Sequence, residues 1–357
     1  MTILRRLAGS TLLRHLGAAV IAGVLLYILS YKLDTFRLYQ MADVGAYVIA
    51  VAGLTVLIGQ SGQISIGQGA FMAIGAFSTA LLLLHLHWNI VYVLLASVAI
   101  TAAGGGIFGV AAARLRGPYL AGATLMLAVA LPTVADAYQG VFGGDQGLSV
   151  TVPVPSFLGS AFTFTRWLAW LSSLLALITL VLLANLGRSR VGRNWRAVRD
   201  DEIAASLSGL NVAVLQIRAF VVSSACAGLG GAMLAIWAGS VAPTGYTLTL
   251  SIGLLTAAVL GGLGSLPGAV WGALVYVLVP TYLENVASSH GLSHGASAFV
   301  PIAAFGVVLM LVMLVFPAGI QGGIRRLLGP AAPVAAAPLS AFRRQVPASR
   351  HQEEGTT

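Results

Sequence analysis

The chain has 357 residues, 58% of them hydrophobic and only 8% charged, with a formal charge of +9. Ordinary soluble domains carry about 25% charged residues, so this composition excludes a soluble globular protein. The basic excess lies between long apolar runs, where it reads as topology information and not as a nucleic-acid surface.

A spanning helix needs roughly 20 mostly apolar residues to cross a hydrocarbon core about 30 Å thick. No residue from Val44 to Ala113, or from Ala219 to Leu283, carries a formal charge, so each run has room for about three crossings. The first segment, MTILRRLAGSTLLRHLGAAVIAGVLLYILS, joins a basic leader to an apolar core. With no small-x-small cleavage site before Lys32 and Asp34, it reads as an uncleaved first span behind a cytoplasmic N-terminus at residues 1–15. Predicted helices then follow at about 16–33, 41–58, 70–86, 90–113, 118–138, 167–186, 219–239, 247–264, 268–284 and 298–317. The fold class is an all-α polytopic membrane protein with about ten transmembrane helices. Residues 329–357, rich in Pro and Ala and then polar, are expected to form a disordered cytoplasmic tail.

Ten spans with the N-terminus inside place sixteen of the nineteen basic residues on the inner side, and only Lys32, Arg37 and Arg166 outside. That asymmetry predicts both termini in the cytoplasm.

Two segments interrupt good spans. Residues 59–69 (GQSGQISIGQG) bring Gln60, Gln63, Ser65 and Gln68, and residues 261–268 (GGLGSLPG) end in a Pro-Gly pair. Irregular backbone at membrane depth must be buried in protein or line a water-filled cavity, and transport proteins place such breaks beside the pathway. The alternative is a plain cytoplasmic turn. The four polar residues of the first break are therefore candidate pathway or gate residues. Dense small residues, as in residues 102–106 (AAGGG), suit close helix packing in lipid.

Between the apolar runs lies one charged island, Arg188 to Arg218, with six arginines and the acids Asp200, Asp201 and Glu202. The three acids sit where a short helix would begin, complementing its dipole, and Gly209 where it could end. Asp43, Asp136 and Glu284 fall at ends of predicted helices, where interfacial water can solvate them. An ion-coupled carrier usually needs ionisable groups deeper in the bundle. The histidines at 85 and 87, and at 290 and 294, lack acidic companions, so no metal site is expected, and no cofactor. A P-loop needs Gly-Lys-Ser/Thr, and the only lysine, Lys32, follows Tyr31. ATP, if used, is hydrolysed by another chain.

Residues 194–212 (NWRAVRDDEIAASLSGLNV) resemble the cytoplasmic coupling loop of inner-membrane permeases in branched-chain amino acid ABC importers, of the LivM type. Residues 219–235 (AFVVSSACAGLGGAMLA), 251–273 (SIGLLTAAVLGGLGSLPGAVWGA), 59–77, 116–128 and 316–329 are similar to that family as well. The resemblance implies an ABC importer permease fold over residues 16–328, with a coupling loop at about 187–218. It assigns Arg196, Arg199, Asp201, Glu202, Ala204, Ala205, Gly209 and Asn211 to coupling with an ATPase. Ile203 departs from the general Glu-Ala-Ala pattern. The partners it implies are a second, LivH-like permease, two ATP-binding subunits, a periplasmic solute-binding protein and the lipid bilayer of a bacterial inner membrane. The chain itself would be a permease and not an enzyme. Urea, amides or another small organic solute are alternative cargoes, and an ion-coupled secondary carrier is the alternative class.

Overall fold

In the computed structural model, described residues run over 11–86, 88–115, 118–154, 163–289 and 318–328, with isolated positions between 303 and 316. Residues 1–10, His87, His290, His294, most of the tenth predicted span and the 329–357 tail lie outside the described residues.

Among the described residues, nine helices are long and apolar enough to cross a membrane. They belong to α1 (Thr11–Lys32), α2 (Thr35–Ser61), α3 (Gln68–Leu86), α4 (Ile90–Ala112), α5 (Pro118–Ala137), α7 (Phe164–Arg188), α10 (Val212–Ala238), α11 (Leu248–Gly261) and α12 (Leu266–Ser289). Shorter helices are α6 (Gln139–Phe142), α8 (Arg190–Asp200), α9 (Glu202–Leu207) and α13 (Gly319–Leu328). The chain is a multi-pass membrane protein.

The centre of the bundle is α10 with α2, α3 and α4 around it. Of the apolar stretches in α2 and α10, 72% is buried, whereas only 6% of that in α1 is. Glycines make the close approach possible. A methyl added at Gly75 would collide with the backbone of Gly228, and one at Gly231 with the carbonyl of Met72. Lipid tails are as apolar as Leu, so helices in membranes associate through such close packing and not through hydrophobic exclusion.

Paired contacts fix the helix directions. Tyr39 stacks on Trp237, with ring centroids 4.5 Å apart, while Gly53 meets Cys226, so α2 and α10 are antiparallel. Gln68 bonds to Ser223 and Gly75 meets Gly228, so α3 runs parallel to α10. Gly45 meets Ser172 and Gly187 meets Gln60, so α7 runs parallel to α2. These directions are those of a chain that crosses back and forth in sequence order. The Tyr39–Trp237 pair also closes two reciprocal hydrogen bonds: the Tyr39 hydroxyl donates to the Trp237 carbonyl at 2.9 Å, and the Trp237 indole donates to the Tyr39 carbonyl at 3.0 Å.

At that same end, β1 (Leu148–Ser149) pairs antiparallel with β2 (Ser240–Val241), Leu148 facing Val241. A 3-10 turn at Pro243–Tyr246 follows and brings Tyr246 back against Phe77. Its return explains why α11 has 14 residues, about 21 Å of helix, which is short of a 30 Å core by itself.

Several helices run longer than the sequence indicates. The expected 41–58 helix begins at Thr35, and the expected 219–239 helix at Val212. Charge marks the membrane face but does not end a helix; the cap does. Asn211 caps α10, its side chain accepting the Val214 amide at 3.1 Å, so Arg218 lies inside the helix. Asp43 changes place because α2 starts at Thr35. It lies about 12 Å along α2 from Thr35 instead of at a helix end, and its Oδ1 is buried without a partner. Asp136 is exposed at the end of α5, where the sequence puts it, whereas Glu284, also exposed, lies five residues before the end of α12, which runs on to Ser289.

Candidate functional site

The charged island folds as two short helices, α8 and α9, between α7 and α10. Ser189 caps α8, accepting the Gly192 amide at 3.4 Å. The inward face of α8 buries Gly192, Trp195 and Val198. Trp195 is 1% exposed, and its indole N–H donates to the Leu215 carbonyl at 2.8 Å. A buried indole needs a partner for its polar end, and the first turn of α10, whose carbonyls face this side, supplies it.

Two arginines of α8 fasten it to neighbouring backbone. Arg196 Nη1 donates to the Gly187 carbonyl at 2.8 Å, and Arg199 Nη1 to the Gly59 carbonyl at 2.6 Å. Arg199 also pairs with Asp200 at 2.8 Å, while its aliphatic stem lies against Gly62. Carbonyls near helix C-termini lack intrahelical donors, so a guanidinium is a natural cap there.

At α9, Asp201 is the N-cap, its Oδ1 accepting the amides of Ile203 at 2.9 Å and Ala204 at 3.0 Å. Glu202 accepts from Gln216 Nε2 at 2.8 Å and ties α9 to α10. Ala205 is buried against the chain, whereas Ala204 is exposed. Gly209 has φ +82°, and nothing lies within 4 Å of a Cβ added there. Asn211 then starts α10. The structure therefore brings all eight loop residues named from the sequence into one platform, but turns Ala205 inward.

Two residues with no site role in the sequence analysis stand out on this platform. Ile203 is 73% and Leu207 84% exposed. They sit four positions apart, hence on one face of α9, on a segment otherwise charged and polar. The signal available was that i, i+4 apolar pair inside a charged island.

The first break, residues 62–67, is non-helical, with Gln63, Ser65 and Gly67 buried, Gly62 and Ile64 exposed, and Gly62 at φ +76°. Its polar residues divide by role. Gln68 Nε2 donates to the Ala50 carbonyl at 2.9 Å and its Oε1 accepts from Ser223 at 3.2 Å, so it staples α2, α3 and α10 together. Gln63 is 4% exposed, donating to Ser61 and to the Gln216 carbonyl. Ser65 accepts the Gly67 amide at 3.3 Å, and the Ile66 amide reaches Thr124 of α5 at 2.9 Å. Only Gln60 opens onto free space. Its Oε1 is buried without a partner, and the residue borders a cavity of about 530 Å³.

The two breaks meet. A Cβ on Gly59 would collide with the backbone of Gly264, and one on Gly319 of α13 with that of Gly262. Both breaks, the α8–α9 platform and α13 thus gather at one end of the bundle, opposite the β1–β2 ribbon. Among the described residues no group of three His, Cys, Asp or Glu could hold a metal ion.

The chain is 32% identical over 255 residues to the high-affinity branched-chain amino acid transport system permease protein LivM of Salmonella typhimurium, covering 65% of this chain and 60% of that protein. It is 31% identical over the same length to LivM of Escherichia coli. To the LivH permease protein of Salmonella typhimurium it is 30% identical over 195 residues, 54% of this chain and 56% of that one. The chain thus matches about 60% of the length of these LivM proteins. No solved structure matches it. The family described as "Branched-chain amino acid transport system / permease component" matches residues 36–317, from the start of α2 to the segment before α13, and the chain belongs to that family.

Proposed function

We propose that this chain is the LivM-type permease subunit of an ABC importer, passing branched-chain or related amino acids inward on ATP hydrolysed by separate subunits. The observation that carries the reading is α9. It holds two large apolar side chains, 73% and 84% exposed, on a helix capped by Asp201 and tied to α10 by Glu202. Such a patch calls for a protein surface to cover it. In this reading the cover is a cleft of an ATP-binding subunit, and the end bearing α8 and α9 faces the cytoplasm of a bacterial cell, as do both termini.

The remaining components are a LivH-like second permease, a second ATP-binding subunit and a periplasmic solute-binding protein. Selectivity resides chiefly in the binding protein. Of the four candidate gate residues, Gln68 becomes a structural staple, and Gln60 borders a cavity at the inner end of the bundle.

The test uses the complete complex in proteoliposomes. Leu207→Asp is expected to insert normally while losing ATPase pull-down and leucine uptake together. Retained pull-down and uptake would refute the coupling assignment. Uptake of urea or an amide in place of leucine by the wild-type complex would overturn the cargo alone.

A further inference from the structure

The cavity beside Gln60 has a composition that the transport reading leaves unexplained. It lies between α1, α7 and α12, with α13 at its mouth, and holds about 530 Å³. Its lining includes four cationic or titratable bases, His15, Arg188, Arg196 and Arg325. Among the described residues no Asp or Glu lines it. The Arg199–Asp200 ion pair is elsewhere. Two polar atoms of lining residues, Gln60 Oε1 and Ser265 Oγ, are buried without a partner. The rest of the wall is apolar, running down α7 from Arg188 to Leu177 and along Ala18 and Ala22 of α1.

We infer that this cavity is a binding site for an acidic glycerophospholipid whose headgroup carries hydroxyls, of the phosphatidylglycerol kind. A phosphate diester meets the guanidinium groups of Arg188, Arg196 and Arg325 without a competing carboxylate. Headgroup hydroxyls donate to Gln60 Oε1 and bond Ser265. The span from Arg188 to Leu177 is about 16 Å of helix, close to half of a 30 Å hydrocarbon core. That suits an acyl chain descending from the headgroup level to mid-bilayer. A zwitterionic amino acid is a poor occupant, since its ammonium would find cations and no carboxylate. Basic pockets between spanning helices are a recurrent form of acidic-lipid site. Here only 6% of the apolar stretch of α1 is buried, so this wall of the cavity lies at the periphery of the described bundle.

The experiment is native mass spectrometry of the purified full-length chain in detergent. Dioleoyl phosphatidylglycerol, dioleoyl phosphatidylcholine or inorganic phosphate is added in turn. Wild type is expected to retain phosphatidylglycerol selectively, less so as salt rises. Arg188→Gln with Arg325→Gln should weaken that retention by roughly tenfold or more, whereas Arg114→Gln with Arg193→Gln, which removes equal charge outside the cavity, should not. Ala184→Phe fills the apolar wall with the arginines in place and should also abolish retention.

Equal retention of phosphatidylcholine would overturn the proposal in favour of plain apolar contact. Displacement by inorganic phosphate would make this a free-anion site. Absence of any lipid retention by wild type would hand the cavity to a protein partner. None of these outcomes bears on leucine uptake, so the lipid site and the transport reading fail separately.

Discussion

Removing the Trp195 side chain is the sharpest test of how α8 is held. The helix buries only Gly192, Trp195 and Val198, so one indole supplies most of its anchoring area. A tryptophan buries about 200 Å², which at about 25 cal/mol per Å² sets an upper bound of about 5 kcal/mol. Trp195→Ala should therefore free α8 from the bundle for much of the time. Trp195→Phe keeps most of the area but loses the 2.8 Å bond to the Leu215 carbonyl, a loss of about 1 kcal/mol. The assay pairs amide hydrogen exchange across residues 190–200 with substrate-stimulated ATP hydrolysis in the reconstituted complex. Protection and stimulation should both fall in the order wild type, Trp195→Phe, Trp195→Ala. If Trp195→Ala keeps wild-type protection, the indole does not anchor α8. If protection falls while stimulation stays, α8 is anchored but not needed for coupling.

At Gly209, the positive φ makes any other residue strained by about 1–2 kcal/mol, yet the space around it is open. Gly209→Ala should retain most leucine uptake, and Gly209→Trp should insert normally and lose uptake; equal uptake by both would remove the steric argument. In a Cys226→Ala background, a cysteine at Gln60 should react with a water-soluble thiol reagent, and cysteines at Gln63 and Ser65 should be protected by burial. Uniform labelling of all three would return the first break to a plain exposed turn. Reporter fusions at residues 145 and 200 should report opposite sides of the membrane, and a shared side would refute the alternating topology.

Runs of about 20 apolar residues made most of the spans legible, because the bilayer imposes their length. Helix ends were less legible where charge was taken as the stop. Thr35 and Val212 start helices that carry Asp43 and Arg218 inside, and of their N-cap residues, Asp34 and Asn211, only Asn211 makes a side-chain capping bond. The start of α9 was readable from Asp201 and Glu202, and its end from Gly209, since both rest on local backbone chemistry. The glutamines of the first break were not separable by sequence. Gln60 and Gln68 are the same residue type eight positions apart, and one faces a cavity while the other bonds α2 and α10. Only tertiary neighbours distinguish them. The Tyr39–Trp237 lock joins residues 198 positions apart and leaves no local trace.

If α9 receives the motion of an ATP-binding subunit, the way onward is short and stiff. Asp201 and Glu202 fix α9 to the body of the loop and to Gln216, and Trp195 fixes α8 to Leu215 one position away. From α8 the next link is Arg199 to the Gly59 carbonyl at 2.6 Å, and from Gly59 the next is direct backbone contact with Gly264. Neither link ends in a long side chain at its receiving side. A rotamer change can absorb displacement where two flexible side chains meet, but close-packed backbone has no such slack. A shift of α8 must therefore either move both breaks together or open the Arg199–Gly59 bond. The first outcome moves Gln60, which lies between those two links and borders the cavity. Glycine stands at both contact points for different reasons: a methyl group on Gly59 would collide with the Gly264 backbone, whereas Gly264 needs its φ of +84°.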